Sequence, residues 1–184
     1  MLAQGATDLA YTCWQDTTKR LDPTLEEDLK ALQPTVTTSR YQPLEDLLKN
    51  GQWQEADQET YRLMITAVGK EEGEFFTREE LLNFPCDELK AIDGLWVKYS
   101  QGKFGFSVQK EIWQTCGSPM TKDKKWDEFC VRVGWQDSTS NHYLPPNSLK
   151  FDPNFSPAGE LPIHGMPVVG GVASLLLSTK LMCI

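Results

Sequence analysis

The chain has 184 residues and a formal net charge of −8 at pH 7, with 26 acidic against 18 basic side chains. This length suits one domain of about 150 residues with extensions, and such a domain is large enough to bury a core. A hydrophobic fraction of 40% with 24% charged residues argues against disorder over the whole chain. The acidic balance argues against general nucleic-acid binding, which requires a basic surface, although a local basic patch is compatible with it.

Cysteine and histidine usage bears on metal binding and redox compartment. The residues concerned are Cys13, Cys86, Cys116, Cys130, Cys183, His142 and His164. No two cysteines form a C-x-x-C pair, and no four ligands have the spacing of a closed zinc site, so no metal site is predicted. The odd number and scattered spacing of the cysteines indicate a reducing compartment. No basic region precedes an apolar run at the N-terminus, so no secretory signal is predicted.

Residues 1–40 are interpreted as an N-terminal extension. Thr24 and Glu27 form a capping-box pattern, and the leucines that follow lie on one face of a short helix between Leu21 and Leu32. Pro34 ends that helix, and residues 34–39 have the composition of a linker. The sequence therefore predicts an extension with a short helix and linker, then a helical domain over 41–162, then an apolar tail over 163–184.

The domain from Tyr41 onward has helical periodicity throughout. Apolar residues recur at i, i+4, i+7, i+8 and i+11 between Trp53 and Val68, which is a 3.6-residue period. Caps, glycines and prolines delimit about six helices, near 43–49, 53–68, 78–82, 86–99, 107–117 and 123–133, and Ser107 is the expected cap of the fifth. No strand alternation is evident, so the fold class predicted is all-α, with Trp96, Trp113 and Trp126 in the core.

The chain changes character after Trp135. Five prolines between 136 and 162 nearly exclude helix, and the apolar residues among them favour an ordered loop lying over the core. The last 24 residues carry one formal charge, Lys180. The apolar run within 166–180 is short for a membrane span of ~20 residues, and a membrane tail, a docking segment and a core segment all remain open.

No pattern of catalytic residues is present, so the protein is not predicted to be an enzyme. Gly102-x-x-Gly105 lies between two helices and lacks the strand that precedes a dinucleotide-binding loop. Phe75 and Phe76 are more informative, because they follow a charged loop and precede the capping box at Thr77 and Glu80. Apolar residues at such a junction often mark a binding groove.

Three runs of residues closely resemble the genomes-uncoupled-four family. They are Phe84-Pro85-Cys86-Asp87-Glu88-Leu89, then Ile92-Asp93-x-Leu95-Trp96-Val97-Lys98-Tyr99-Ser100, then Gly102-x-Phe104-Gly105-Phe106-Ser107-Val108-Gln109-Lys110. The resemblance covers about residues 41–162. It implies a cupped all-α domain with an apolar inner face that binds porphyrins without being an enzyme. The best-known members stimulate magnesium chelatase in chlorophyll synthesis.

The resemblance also implies where a tetrapyrrole would bind. The cleft is expected between the loop joining the second and third core helices, residues 69–84, and the long loop of residues 136–162. The ligand is expected to be a porphyrin or Mg-porphyrin, with a bilin as the alternative. By position the candidates are Phe75, Phe76, Leu81 and Phe84 on one side, Tyr143, Leu144, Phe151 and Leu161 on the other, Leu47 and Leu48 as the floor, and Arg62 or Arg78 as the cation for the propionates. The expected partner is the magnesium chelatase large subunit, and the expected setting is a cyanobacterial cytoplasm or the plastid stroma.

The sequence departs from the family pattern near the end of the long loop. Glu160 stands where the family commonly has His, and the Arg that follows in chelatase-linked members is absent. A glutamate facing the ligand would weaken propionate binding by like-charge repulsion. A paralogue for another tetrapyrrole or for signalling therefore stays open. The rival hypothesis is a membrane-associated interaction module, attached through 166–180, that keeps the fold without binding pigment.

Overall fold

The computed structural model describes residues 39–140, 142–164 and 183–184. The chain divides into two compact units, Met1–Ser39 and Arg40–Ile184, and nearly all of the first unit lies outside the described residues. The helix predicted between 21 and 32 and the apolar run 166–180 also lie outside them.

Six α-helices make up the regular structure of the described residues. They are α1 (Gln42–Lys49), α2 (Trp53–Ala67), α3 (Arg78–Leu82), α4 (Cys86–Ser100), α5 (Phe106–Thr115) and α6 (Lys124–Arg132), followed by a 3-10 turn at Pro146–Ser148. Within this part of the chain β-pairing is limited to an isolated antiparallel bridge between Gln136 and Tyr143. The prediction of an all-α fold is confirmed.

Local side-chain caps mark the starts of two of the six described helices, α3 and α6. Thr77 Oγ accepts the N–H of Glu80 at 3.2 Å, and the Glu80 carboxylate accepts the N–H of Thr77 at 2.7 Å, which is the predicted capping box of α3. The carboxylate of Asp123 accepts the N–H groups of Lys125 and Trp126 at the start of α6.

The start of α5 follows a tertiary contact instead of a local cap. Ser107 was expected to cap this helix, but the helix begins at Phe106, and the N–H of Ser107 donates to Asp93 Oδ1 of α4 at 2.9 Å. The preceding Gly105 has φ 137°, and a Cβ there would lie 2.8 Å from the same carboxylate oxygen. The expected Ser107 cap is therefore wrong, because a side chain from α4 occupies the capping position.

Tryptophan side chains centre the core, as predicted for Trp96, Trp113 and Trp126, all of which are buried. Helix α1 packs on α2 and α4, and α5 packs on α4 and α6. The indole N–H of Trp96 donates to Thr60 Oγ at 2.8 Å, so the buried polar atom of the ring is satisfied. Phe104 contacts the Trp96 ring edge-on at a centroid distance of 6.2 Å.

The long loop is held to the helices by buried hydrogen bonds. The indole N–H of Trp135 donates to the Glu160 carbonyl at 2.8 Å, and Gln109 Nε2 donates to the carbonyls of Gly159 and Pro162 at 3.1 and 2.9 Å. The N–H of Gly105 donates to the Leu161 carbonyl at 3.1 Å. These bonds satisfy backbone groups that no helix or sheet pairs, which lets an irregular segment lie over the core.

Cys86 and Cys183 form a disulfide with a Cα–Cα separation of 5.5 Å. This pair was not predicted from the sequence, because 97 positions separate the two cysteines. The scattered cysteine spacing was interpreted as typical of a reducing compartment. Cys116 and Cys130 are free and buried.

Candidate functional site

One face of α2 holds both loops that the sequence predicts around the ligand. Asp57 Oδ1 accepts the backbone N–H of Ile163 at 2.7 Å and that of His164 at 3.0 Å, immediately after the long loop. Asp57 is buried, and burial raises the pKa of its carboxyl from 3.8 to about 7. The two N–H bonds lower that pKa, and the neighbouring charge of Glu160 raises it further.

Tyr61, one turn further along α2, holds the other loop. Its hydroxyl donates to the Glu74 carbonyl at 2.5 Å and accepts the N–H of Gly73 at 3.0 Å. The His164 ring meets the Tyr61 ring edge-on, with centroids 5.3 Å apart. Tyr61, which is 6% exposed, therefore lies between the connection joining α2 to α3 and the end of the long loop.

The first predicted side of the cleft divides into one open and three buried residues. Phe75 is 67% exposed, whereas Phe76, Leu81 and Phe84 belong to the core. Phe76 packs edge-on against Phe84 with centroids 6.5 Å apart. The amine of Lys70 donates to the Phe75 carbonyl at 2.7 Å, so the backbone behind the exposed ring is fixed.

The second predicted side is half-buried for the most part. Tyr143, Leu144 and Phe151 keep part of their surface exposed, and Leu161 is fully buried. The Tyr143 hydroxyl accepts the indole N–H of Trp126 at 3.1 Å, which ties this side to α6. Phe155, which was not among the sequence candidates, is 71% exposed in the same loop.

The predicted floor and the predicted cations also fall into different environments. Leu47 is half-buried, and Leu48 lies in the core. Arg62 is exposed but paired with Glu59 through two hydrogen bonds, and that pairing raises the arginine pKa. Arg78 is exposed at the first position of α3. Lys122, which sequence reasoning missed, places its amine 5.6 Å from the centroid of the Tyr143 ring.

Four of the twelve sequence candidates are thus fully packed side chains with at most 2% of their surface exposed. They are Leu48, Leu81, Phe84 and Leu161. These four side chains belong to the hydrophobic core and present no surface to a ligand. The candidates in the two loops that present surface are Phe75, Tyr143, Leu144 and Phe151.

Glu160 does not face outward as the sequence interpretation assumed. It is 2% exposed, and its carboxylate accepts a hydrogen bond from the buried hydroxyl of Ser156. The interpretation of Glu160 as a repulsive charge at the ligand is therefore wrong. Trp135 donates a hydrogen bond to the Glu160 carbonyl, and Gln109 donates one to the Gly159 carbonyl. These two bonds hold the backbone so that the Glu160 side chain points into the protein.

Other features of the described residues bear on function. A cavity of about 350 Å³ lies at the end of α4 and is lined by none of the sequence candidates; its lining is Tyr99, Ser100, Gln101, Gly102, Lys103, Pro153, Asn154 and Ala158. Across the described ranges, no three acidic, cysteine or histidine side chains group as metal ligands. No helix in the same ranges is both long and apolar enough to cross a membrane.

Comparison with known proteins places this all-α architecture in a family. The family model described as GUN4-like matches residues 35–177. The chain belongs to the GUN4-like family. Its fold is similar to the ligand-free structure of Arabidopsis thaliana GUN4, with a TM-score of 0.63 and 30% identity over 77% of this chain and 93% of that one. It is also similar to GUN4 from Chlamydomonas reinhardtii, with a TM-score of 0.61 and 27% identity over 77% of this chain and 88% of that one.

Relatives found by sequence include a protein of Arabidopsis thaliana and one of Synechocystis. The chain is 33% identical to a chloroplastic tetrapyrrole-binding protein of Arabidopsis thaliana, over 69% of this chain and 49% of that protein. It is 29% identical to a Ycf53-like protein of Synechocystis, over 67% of this chain and 50% of that protein. The chain therefore spans about half the length of these relatives.

Proposed function

We propose that this chain is a tetrapyrrole-binding protein without enzymatic activity of its own. The ligand would bind between the connection joining α2 to α3 and the long loop of residues 136–162. The observation that carries the proposal is the exposed ring of Phe75, which directly follows the backbone that the Tyr61 hydroxyl bonds at Glu74. The same face of α2 holds residues 163 and 164, through the bond from the Ile163 N–H to Asp57 and the ring contact of Tyr61 with His164. Support comes also from the family and from the relative named as a tetrapyrrole-binding protein.

The exposed residues suit a flat aromatic ligand. A porphyrin macrocycle offers two apolar faces, and aromatic side chains contact such faces by stacking or edge-on packing. Phe75 supplies the exposed ring on one side, and Tyr143, Leu144 and Phe151 supply partly exposed apolar surface on the other. The packed side chains of Phe76, Phe84 and Leu161 keep that surface in place instead of lining it.

Tyr61 is proposed as a positioning residue. Its two hydrogen bonds fix the backbone of Gly73 and Glu74, directly before Phe75. A loop already held in one conformation loses less conformational entropy when a ligand binds, which strengthens binding without an added ligand contact.

For the propionates of a porphyrin we propose Lys122 and Arg78, by their position next to proposed lining residues. The guanidinium of Arg62 holds the Glu59 carboxylate through two hydrogen bonds. Lys122 lies over Tyr143, one of the proposed lining residues, and Arg78 is three residues from Phe75.

A porphyrin titration tests the proposal, with the Soret band and tryptophan fluorescence as readouts. Phe76→Ala would open a core in which Phe76 packs against Phe84, so Phe75→Ala is the better variant. Removing a phenyl ring that contacts the ligand costs on the order of 1.5–3 kcal/mol, or roughly ten- to a hundred-fold in affinity. Met120→Ala is the matched control, because Met120 is 60% exposed and lies outside both loops.

Tyr61→Phe is the companion variant for positioning. It keeps the ring and removes both hydrogen bonds, so we expect roughly two- to ten-fold weaker binding with an unchanged helical circular-dichroism signal. If wild-type protein causes no Soret change, or if Phe75→Ala binds as tightly as wild type, tetrapyrrole binding at this site is refuted. That outcome would favour the interaction-module hypothesis.

We further propose that the chain acts in chlorophyll synthesis with the magnesium chelatase large subunit, in a plastid stroma or a cyanobacterial cytoplasm. The chloroplast and cyanobacterial relatives support this setting, and the partner rests on the family resemblance. Purified chelatase assayed with and without the chain tests the partnership, and an unchanged rate would refute it. Attachment to a membrane through 166–180 stays a separate proposal, tested by vesicle sedimentation of the full chain.

A further inference from the structure

The four described cysteines fall into two chemical classes. Cys116 and Cys130 lie in the core, and burial raises the pKa of the Cys130 thiol to about 12, which disfavours its reactive thiolate. Cys86 and Cys183 are partly exposed and joined to each other. Their Cα–Cα separation of 5.5 Å is ordinary for a disulfide.

Cys86 has the surroundings of a reactive thiol. It is the first residue of α4, a helix of 15 residues, where the unpaired N–H groups and the helix dipole stabilise a thiolate. Asp87 and Glu88 in the same turn oppose this effect. The carboxylate of Glu88, however, is held by the Tyr41 hydroxyl at 2.6 Å and by Arg40 at 2.9 Å, which reduces its repulsion of a thiolate.

The disulfide attaches the last two residues of the sequence to the helical domain. Beside it, the amine of Lys110 on α5 donates to the backbone oxygen of Ile184 at 2.7 Å, and Ile184 packs partly against the core. On the other side, Cys86 is two residues from Phe84, whose ring supports Phe76. The covalent link therefore joins residue 183 to the segment behind the candidate tetrapyrrole site.

We propose that Cys86 and Cys183 form a thiol–disulfide exchange site that takes a dithiol protein of the thioredoxin class as its reductant. A thiolate of the dithiol attacks Sγ of Cys183, the Cys183–Cys86 bond breaks, and Cys86 leaves as a thiolate stabilised at the start of α4. The second thiol of the reductant then attacks the mixed disulfide and releases the Cys183 thiolate. The dithiol supplies two electrons, becomes a disulfide and gives up two protons, which the released thiolates of the chain take up.

This site is independent of whether a tetrapyrrole binds. Thiol–disulfide exchange also makes the Cys86–Cys183 pair compatible with a reducing compartment. A reversible disulfide is reduced when reduced dithiol is abundant and forms again when it is scarce.

The first test is differential alkylation of the full chain followed by peptide mass mapping. After oxidation with oxidised glutathione, we expect a linked Cys86–Cys183 peptide. After incubation with reduced thioredoxin, we expect both residues to be alkylated, while Cys116 and Cys130 stay protected in the folded protein. Free Cys86 and Cys183 after oxidation would overturn the proposal. A link that thioredoxin cannot reduce would overturn it equally, since the pair would then be only structural.

The second test is the thermal midpoint of the oxidised and reduced chain. Closing a loop of 97 residues should raise the midpoint of the oxidised form by roughly 5–15 °C. Cys183→Ser should remove this difference, because it removes the link without touching the core. Cys116→Ala should keep the difference, even if it lowers both midpoints. A difference that persists in Cys183→Ser would show that another group responds to the redox conditions.

Discussion

Asp57→Asn should make the protein more stable at neutral and alkaline pH. The Asp57 carboxyl is buried in α2 and accepts two backbone N–H groups from Ile163 and His164. An asparagine Oδ1 at this place accepts the same two N–H groups without carrying a charge, and only the longer bond from the His164 N–H to Oδ2, at 3.1 Å, is lost. The substitution therefore keeps the attachment of residues 163 and 164 to α2 and removes the cost of burying a carboxylate next to Glu160.

The magnitude follows from the displaced pKa. The carboxyl titrates at 3.8 in the unfolded chain and at about 7 in the folded protein. Between these values the folded protein holds a proton that the unfolded chain has released, so the free energy of unfolding falls as pH rises from about 4 to about 7. A displacement of this size corresponds to at most about 4 kcal/mol. Below about pH 4 the neutral acid and the asparagine should be nearly equivalent.

Urea denaturation of wild type and Asp57→Asn from about pH 4 to pH 8 measures this difference. Subtracting the two curves removes the titration of every group that the substitution leaves unchanged. Glu55→Gln, exposed on the same helix, is the control and should not alter the pH dependence. The expected stabilisation is refuted if Asp57→Asn lowers the free energy of unfolding by the same amount at pH 8 as at pH 4. Burial would then not raise the Asp57 pKa, and the carboxylate would be a net stabiliser.

Two further substitutions test how the helices are held. Trp96→Ala should lower the free energy of unfolding by ~3–5 kcal/mol, because it empties a fully buried site and leaves Thr60 without its indole partner. An unchanged urea midpoint would contradict the packing of α2 against α4. Thr77→Ala should cost about 1 kcal/mol through loss of the α3 cap, and Thr77→Ser, which restores the acceptor, should recover most of it.

The sequence predicted the helices well, because the signals that define them are local. The capping box at Thr77 and Glu80 and the carboxylate of Asp123 act within one turn of the residues they cap. The start of α5 was missed because the deciding group, Asp93, is 14 positions from its partner Ser107. Local spacing carries no information about such a contact.

The candidate site was harder to predict because an apolar residue in a loop can face either the core or solvent. Phe75 and Phe76 are adjacent and chemically identical, yet one ring is exposed and the other packs on Phe84. Tyr61 was not identified from the sequence, because the apolar 3.6-residue period of α2 describes the adjacent, core-facing side of the helix. Asp57 and Tyr61 are four positions apart and so share a face, and a polar pair at that spacing beside an apolar stripe is the signal that could have found them.

The inward position of Glu160 changes how the departure from the family pattern is understood. A carboxylate aimed at the ligand would repel a propionate, but the Glu160 carboxylate is buried beside Ser156 and acts on Asp57. Its negative charge favours the protonated form of Asp57, which still accepts the N–H groups of Ile163 and His164. The substitution at 160 thus bears on how firmly the end of the long loop is held to α2. Because the Glu160 carboxylate is buried within the long loop, its charge is no obstacle to a dicarboxylate porphyrin at the exposed ring of Phe75.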